Sequence, residues 1–140
     1  MRLLSPSDLR DLAVTSFAFS ATRPRLWVAL ERFLAELASH KVAEEVWVGG
    51  SFLTAKLDPN DIDAVVVLSP DRLDAAGAEV AREIYEGLLD QATLLATGID
   101  ASAMFVGDSI LRAYWQGVFG FGQETTAKGI AVVPFARADR

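Results

Sequence analysis

The clearest hydrophobic period in the chain lies at 26–37. Leu26, Leu30, Phe33, Leu34 and Leu37 recur at i, i+4, i+7, i+8 and i+11, one stripe of an amphipathic helix that Trp27 widens. Thr22-Arg23-Pro24 starts it, with proline near the first turn. Arg23, Arg25, Glu31, Arg32 and Glu36 are placed off the stripe. The period then changes to two. Residues 45–48 predict a strand with Val46 and Val48 facing one way and Trp47 the other. Residues 61–68, DIDAVVVL, are β-branched and predict a strand buried on both faces. Ser69-Pro70-Asp71 caps one long helix whose stripe is Val80, Ala81, Ile84, Tyr85, Leu88 and Leu89, ending by Thr97-Gly98. A strand follows at 101–106, then a short helix at 109–117 carrying Ile110, Leu111, Tyr114 and Trp115. Ala131-Val132-Val133 reads as a last edge strand ended by Pro134, before a charged tail at 137–140. Near the start, Ser5-Pro6-Ser7-Asp8 opens a helix with Leu9, Leu12 and Ala13 on one face.

Two stretches lack a clear period. Residues 12–19, LAVTSFAF, form either an arm laid on the domain's own core, the preferred reading, or a contact surface for a second chain. Residues 117–122 space aromatics with glycines, and read either as a core helix running into an irregular loop, again preferred, or as a lid that stacks on a base. The alternation of helices and strands predicts one α/β (α+β) domain over 1–140: a small mixed β-sheet with helices packed on one side.

Composition narrows the chemistry. The net charge of −6 argues against a broad nucleic-acid platform, DNA included, which needs a basic face. There is no cysteine, hence no disulfide, thiolate nucleophile or cysteine zinc site. The one histidine, His40, reads as a polar residue at a helix C-terminus. Residues 1–10 do not form a secretory signal and no apolar run is long enough to span a membrane, so the expected location is cytoplasmic. With 51% hydrophobic residues, some apolar surface is expected to meet a protein partner or a second copy. A dinucleotide fingerprint, a P-loop and a nucleophile elbow are all absent.

What remains is a constellation at 45–68. Asp61 and Asp63 open a strand and point the same way, about 6.6 Å apart at about 3.3 Å per residue. Paired carboxylates suit Mg²⁺ (or Mn²⁺), which takes one or two of them and fills its shell with phosphate and water. Upstream, Gly49-Gly50-Ser51 lets backbone N–H groups crowd round an anion, with Ser51 capping a short helix. Lys56 lies between turn and carboxylates; it either neutralises a phosphate or is a solvated loop lysine. Asp58-Pro59-Asn60 is a turn, and Asp58 a turn residue rather than a ligand.

A strand, Gly-Ser, about ten residues and Asp-x-Asp on the next strand resemble the nucleotidyltransferase superfamily of DNA polymerase β. GGSFLTAK followed by DPNDIDAVVVL looks like its small stand-alone bacterial members, close in plan to the minimal antitoxin-type ones. Those carry Arg and Gly early in the loop where this chain has Phe52-Leu53-Thr54-Ala55-Lys56. The resemblance implies the nucleotidyltransferase fold and transfer of a nucleoside monophosphate from a triphosphate such as ATP to a hydroxyl of a protein or RNA acceptor. It implies nucleotide contacts at Gly49, Gly50, Ser51 and Lys56, and metal and catalytic roles for Asp61, Asp63 and a third carboxylate from a later strand. Asp100 is the preferred third ligand; Asp108 better suits a turn or helix cap. The other reading is an antitoxin-like protein-binding module on the same fold, with little or no catalysis.

Overall fold

A computed structural model describes residues 2–121 and 130–135. The elements in order are β1 (Arg2–Leu3), α1 (Pro6–Arg10) continuing into a π-helical turn (Asp11–Thr15), α2 (Arg23–His40), β2 (Ala43–Gly49), a 3₁₀ turn (Gly50–Leu53), β3 (Ile62–Leu68), α3 (Pro70–Ala76), α4 (Ala78–Gly87), α5 (Gln91–Thr97), β4 (Ile99–Phe105), α6 (Ser109–Phe121) and β5 (Ala131–Pro134). The five strands make one mixed sheet in the order β1-β5-β2-β3-β4. β2 is antiparallel to β3 and to β5, while β3 and β4 are parallel, as are β1 and β5.

The expected α+β architecture is therefore present, and its strands alternate as the pattern requires. Val46, Val48, Ala64 and Val66 enter one core with Leu26, Leu30, Phe33 and Leu37 of α2. Trp47, Val65, Val67 and Met104 enter a second, smaller core on the other face. That second face is covered by α6, through Phe119 with Trp115 beside it, so one helix lies opposite the others.

Several elements differ from the sequence reading, each for a local reason. The helix expected from Ser69 to Thr97 is three helices. Ser69 does cap the first, its hydroxyl accepting from Arg72 N, but Gly77 at φ +96° breaks the chain. Asp90 then starts α5 by accepting from Thr93 N. Tyr85, placed on the buried stripe, is 42% exposed. β5 is an interior strand rather than an edge, because β1 pairs along its outer side; a two-residue strand carries too little pattern to be read in advance. α6 continues helical through Phe121, so 117–121 is not an irregular loop. Gly122, Lys128, Gly129 and the tail at 137–140 lie outside the described residues. No helix among the described residues is long and apolar enough to cross a membrane.

Candidate functional site

β3 and β4 bring two of the sequence-selected aspartates together. Their parallel register sets Asp63 opposite Asp100, so both side chains leave the same face of the sheet from adjacent strands, about 4.8 Å apart. Asp61 lies one residue ahead of β3, where Ile62 N donates to the Gly98 carbonyl at 2.8 Å and starts the ladder. Asp61 and Asp63 are half-buried and Asp100 is exposed. Flanking residues hold them there: Ile62 and Ile99 are buried in the α2-side core.

The turn after β2 meets this pair. Gly49 is the register partner of Asp63 across the β2–β3 ladder. Gly50 follows at φ +72°, a conformation glycine adopts without a Cβ clash. A Cβ there would strike the Asp63 carboxylate oxygen, so that carboxylate packs directly on the bare Cα of Gly50. On the other side, a Cβ on Gly49 would lie 2.7 Å from Phe119 Cδ2. Both glycines are thus demanded by close approach, one to the candidate acid and one to α6. Ser51 is not the helix cap expected: it lies inside the 3₁₀ turn, whose N-cap position is Gly49, with no side-chain cap. Its carbonyl instead accepts from Thr54 N at 3.1 Å and Thr54 Oγ1 at 2.8 Å, closing the turn.

The turn is held from behind by Arg23, which the sequence reading placed off the buried stripe. It is fully buried. Its Nη1 donates to the carbonyls of Ala13 (2.8 Å) and Phe52 (2.5 Å). Its Nη2 donates to Thr54 O (2.9 Å), Lys56 O (2.6 Å) and, more weakly, Ser51 O (3.4 Å), and Nε also reaches Lys56 O at 3.2 Å. The ring of Phe17 stacks 3.7 Å from the guanidinium carbon. A buried cation is costly unless its donors are matched, and here the loop's own carbonyls match them. Burial lowers the Arg23 pKa, and the nearby Asp58 opposes that shift. The signal was available in spacing: Arg23 precedes Leu26 by three residues and Leu30 by seven, on the apolar stripe. Phe119, which the sequence reading placed in the glycine-spaced stretch 117–122 with no link to the turn, lies in α6 against Gly49, one helical turn after Trp115.

The remaining candidates take simpler places. Asp58 is a structural residue, as expected: it accepts from Ser20 Oγ at 3.0 Å and Ala21 N at 2.7 Å, tying residues 20–21 to the loop. Those donors hold its carboxyl below the usual carboxylate range, the Ala21 N–H most of all. Lys56 contributes its carbonyl to Arg23 and carries an exposed side chain. Asp108 caps α6, accepting from Leu111 N at 3.0 Å. His40 ends α2, 3.7 Å from Glu83. Arg25 lines a cavity of about 760 Å³ beside α2, whose lining carries charges of both signs.

Among the described residues no three Asp, Glu, His or Cys side chains converge into a ready-made metal cage. The arrangement is more open: Asp63 and Asp100 stand side by side on adjacent strands, with the Asp63 carboxylate against the bare Cα of Gly50. Such an oxygen-only pair fits a hard cation that draws its other ligands from water and phosphate.

No curated protein and no solved structure matches the chain. A family profile does, over residues 4–134, which takes in the turn, the three aspartates, Arg23 and all strands but the first. The chain belongs to that family, the family of unknown function DUF6932.

Proposed function

We propose that this chain is a Mg²⁺-dependent nucleotidyltransferase that moves a nucleoside monophosphate from a triphosphate to a hydroxyl. The observation that carries the reading is the meeting of two sequence-distant parts: Asp63 packs on Gly50, and Asp100 stands beside Asp63. In this reading Asp61, Asp63 and Asp100 would hold the cation, and Asp100 would receive the proton of the attacking hydroxyl. The backbone of Gly49, Gly50 and Ser51 lies against the phosphates, and Lys56 offsets charge on the departing pyrophosphate. Mg²⁺, when bound, supplies charge neutralisation at the transferring phosphoryl group. Asp100 is the exposed member of the set, suiting it to a group that must meet an acceptor.

The test combines melting and transfer. Each of the four nucleoside triphosphates is added with Mg²⁺ or Mn²⁺; a bound ligand at 100 times its dissociation constant adds about 2.7 kcal/mol of stability. Asp63→Asn should abolish that gain and leave the unliganded protein folded. Asp100→Asn should keep much of the gain while transfer to protein or RNA acceptors falls by orders of magnitude. No shift in the wild type with any triphosphate and metal would sink the reading.

A second reading, a protein-binding module of antitoxin type on the same fold, has its own observation. Large apolar side chains stand in solvent, Phe19 at 92% and Ile110 at 81% exposure. A wild type that binds triphosphate yet transfers to no acceptor would favour it.

A further inference from the structure

Residues 11–20 present a projecting ring and an empty hollow on one side of the molecule. Phe19 sits at a turn and is 92% exposed, the highest value among the large apolar side chains described. Beside this segment is a cavity of about 300 Å³, lined by Leu12, Ala13, Ser16 and Phe17 of the arm and by Phe52 and Leu53 of the turn after β2. That volume is at the low end for ligand pockets and has room for an aromatic side chain. Phe19 does not fill the cavity of its own chain, and Phe17 is committed to the guanidinium of Arg23.

We propose that the hollow receives Phe19 of a second copy, in a twofold dimer in which each chain gives one ring and takes one. Three features favour a second copy over another partner. Projection and hollow belong to the same short segment, so a twofold axis through it satisfies both at once, as a self-complementary interface requires. The lining of the hollow is free of charge: residues 12–19 (LAVTSFAF) and 52–55 (FLTA) contain no ionisable side chain. In a chain of net charge −6, two copies repel least where the contacting segments carry none. Leu12, at 46% exposure and on the lining of the hollow, extends the apolar patch beyond the single ring. This dimer does not depend on nucleotide chemistry.

The experiment is sedimentation equilibrium across the micromolar range on wild type, Phe19→Ala, Ser16→Trp and an equimolar mixture of the two variants. Phe19→Ala removes the ring and leaves the hollow; Ser16→Trp, at an exposed position on the rim, fills the hollow and leaves the ring. Wild type should pass from monomer to dimer as concentration rises. Phe19→Ala should raise the dissociation constant about thirtyfold or more, as loss of an interface aromatic does, with its melting temperature equal to that of wild type at concentrations where both are monomeric, because the ring is solvated in the single chain. Ser16→Trp should also be monomeric. The mixture should regain a weaker association, since one ring then meets one open hollow. A wild type that stays monomeric, a Phe19→Ala variant that associates like wild type, or a mixture that stays monomeric would each overturn the proposal.

Discussion

β3 and the turn after β2 meet at Asp63 and Gly50, yet they are anchored in different ways. β3 carries four residues into one core (Ile62, Ala64, Val66, Leu68) and two into the other (Val65, Val67), and it is hydrogen-bonded along both edges. Its position is set many times over. The 3₁₀ turn buries Phe52, and its carbonyls, with those of Thr54 and Lys56, converge on the one guanidinium of Arg23. The strand's hold is distributed and apolar; the turn's is concentrated and polar. Distributed burial tolerates the loss of a methyl group, whereas a buried polar hub fails when its centre is removed, because several acceptors around it lose a donor together.

The largest expected effect follows from that contrast. Arg23→Met keeps an apolar stem and removes every donor, leaving buried carbonyls without partners. It should cost about 3 kcal/mol or more, read from urea unfolding. Ile62→Val, which trims the strand between the two aspartates, should cost only about 0.5–1.5 kcal/mol. Equal costs for the two variants would show that the turn does not depend on Arg23.

A smaller effect on stability, with a larger one on binding, is expected where the two regions touch. Gly50→Val puts a β-branched residue at φ +72° and a Cβ against the Asp63 carboxylate. Strain of this kind costs about 1–3 kcal/mol. Because the same Cβ would push the Asp63 carboxylate aside, the rise in melting temperature proposed for triphosphate and metal should vanish as well. Normal triphosphate binding by Gly50→Val would mark the turn as structural alone.

The smallest effect concerns Asp58, which fastens the same loop from its solvent side. Its folded-state pKa is depressed by the Ala21 N–H, then by Ser20, Thr22 and the charge of Arg23. A carboxyl with a depressed folded pKa contributes stability in full above its unfolded pKa, about 3.9. That contribution is lost as pH falls from there through the folded value. Asp58→Asn should remove that contribution at neutral pH and converge with wild type in acid, so that the stability–pH curve flattens below about pH 4. An unchanged acid limb would mean that the Ser20 and Ala21 contacts do not persist in solution.

The reading of the sequence succeeded where the chain repeats itself. The α2 stripe, the alternation of Val46, Trp47 and Val48, and the two-sided burial of β3 follow from side-chain direction at periods of 3.6 and 2, which a few residues suffice to define. The break at Gly77 was harder, since a lone glycine inside a helical pattern does not say whether the helix tolerates it or ends there. The placement of β5 between β1 and β2 was out of reach, because strand order depends on which edges remain open after the rest of the chain has folded.

The candidate site divides along the same line. The residue types at 49–51 and 61–63 were legible, because a glycine pair and Asp-x-Asp ahead of an apolar strand are local features. That Asp63 lies on Gly50 and beside Asp100 depends on the β2–β3 and β3–β4 registers, between segments far apart in the chain. Arg23 shows the limit most plainly. Its spacing placed it on the buried stripe, and its charge argued for solvent. Only the folded loop, which turns its carbonyls inward to meet the guanidinium, makes burial of that charge the lower free energy.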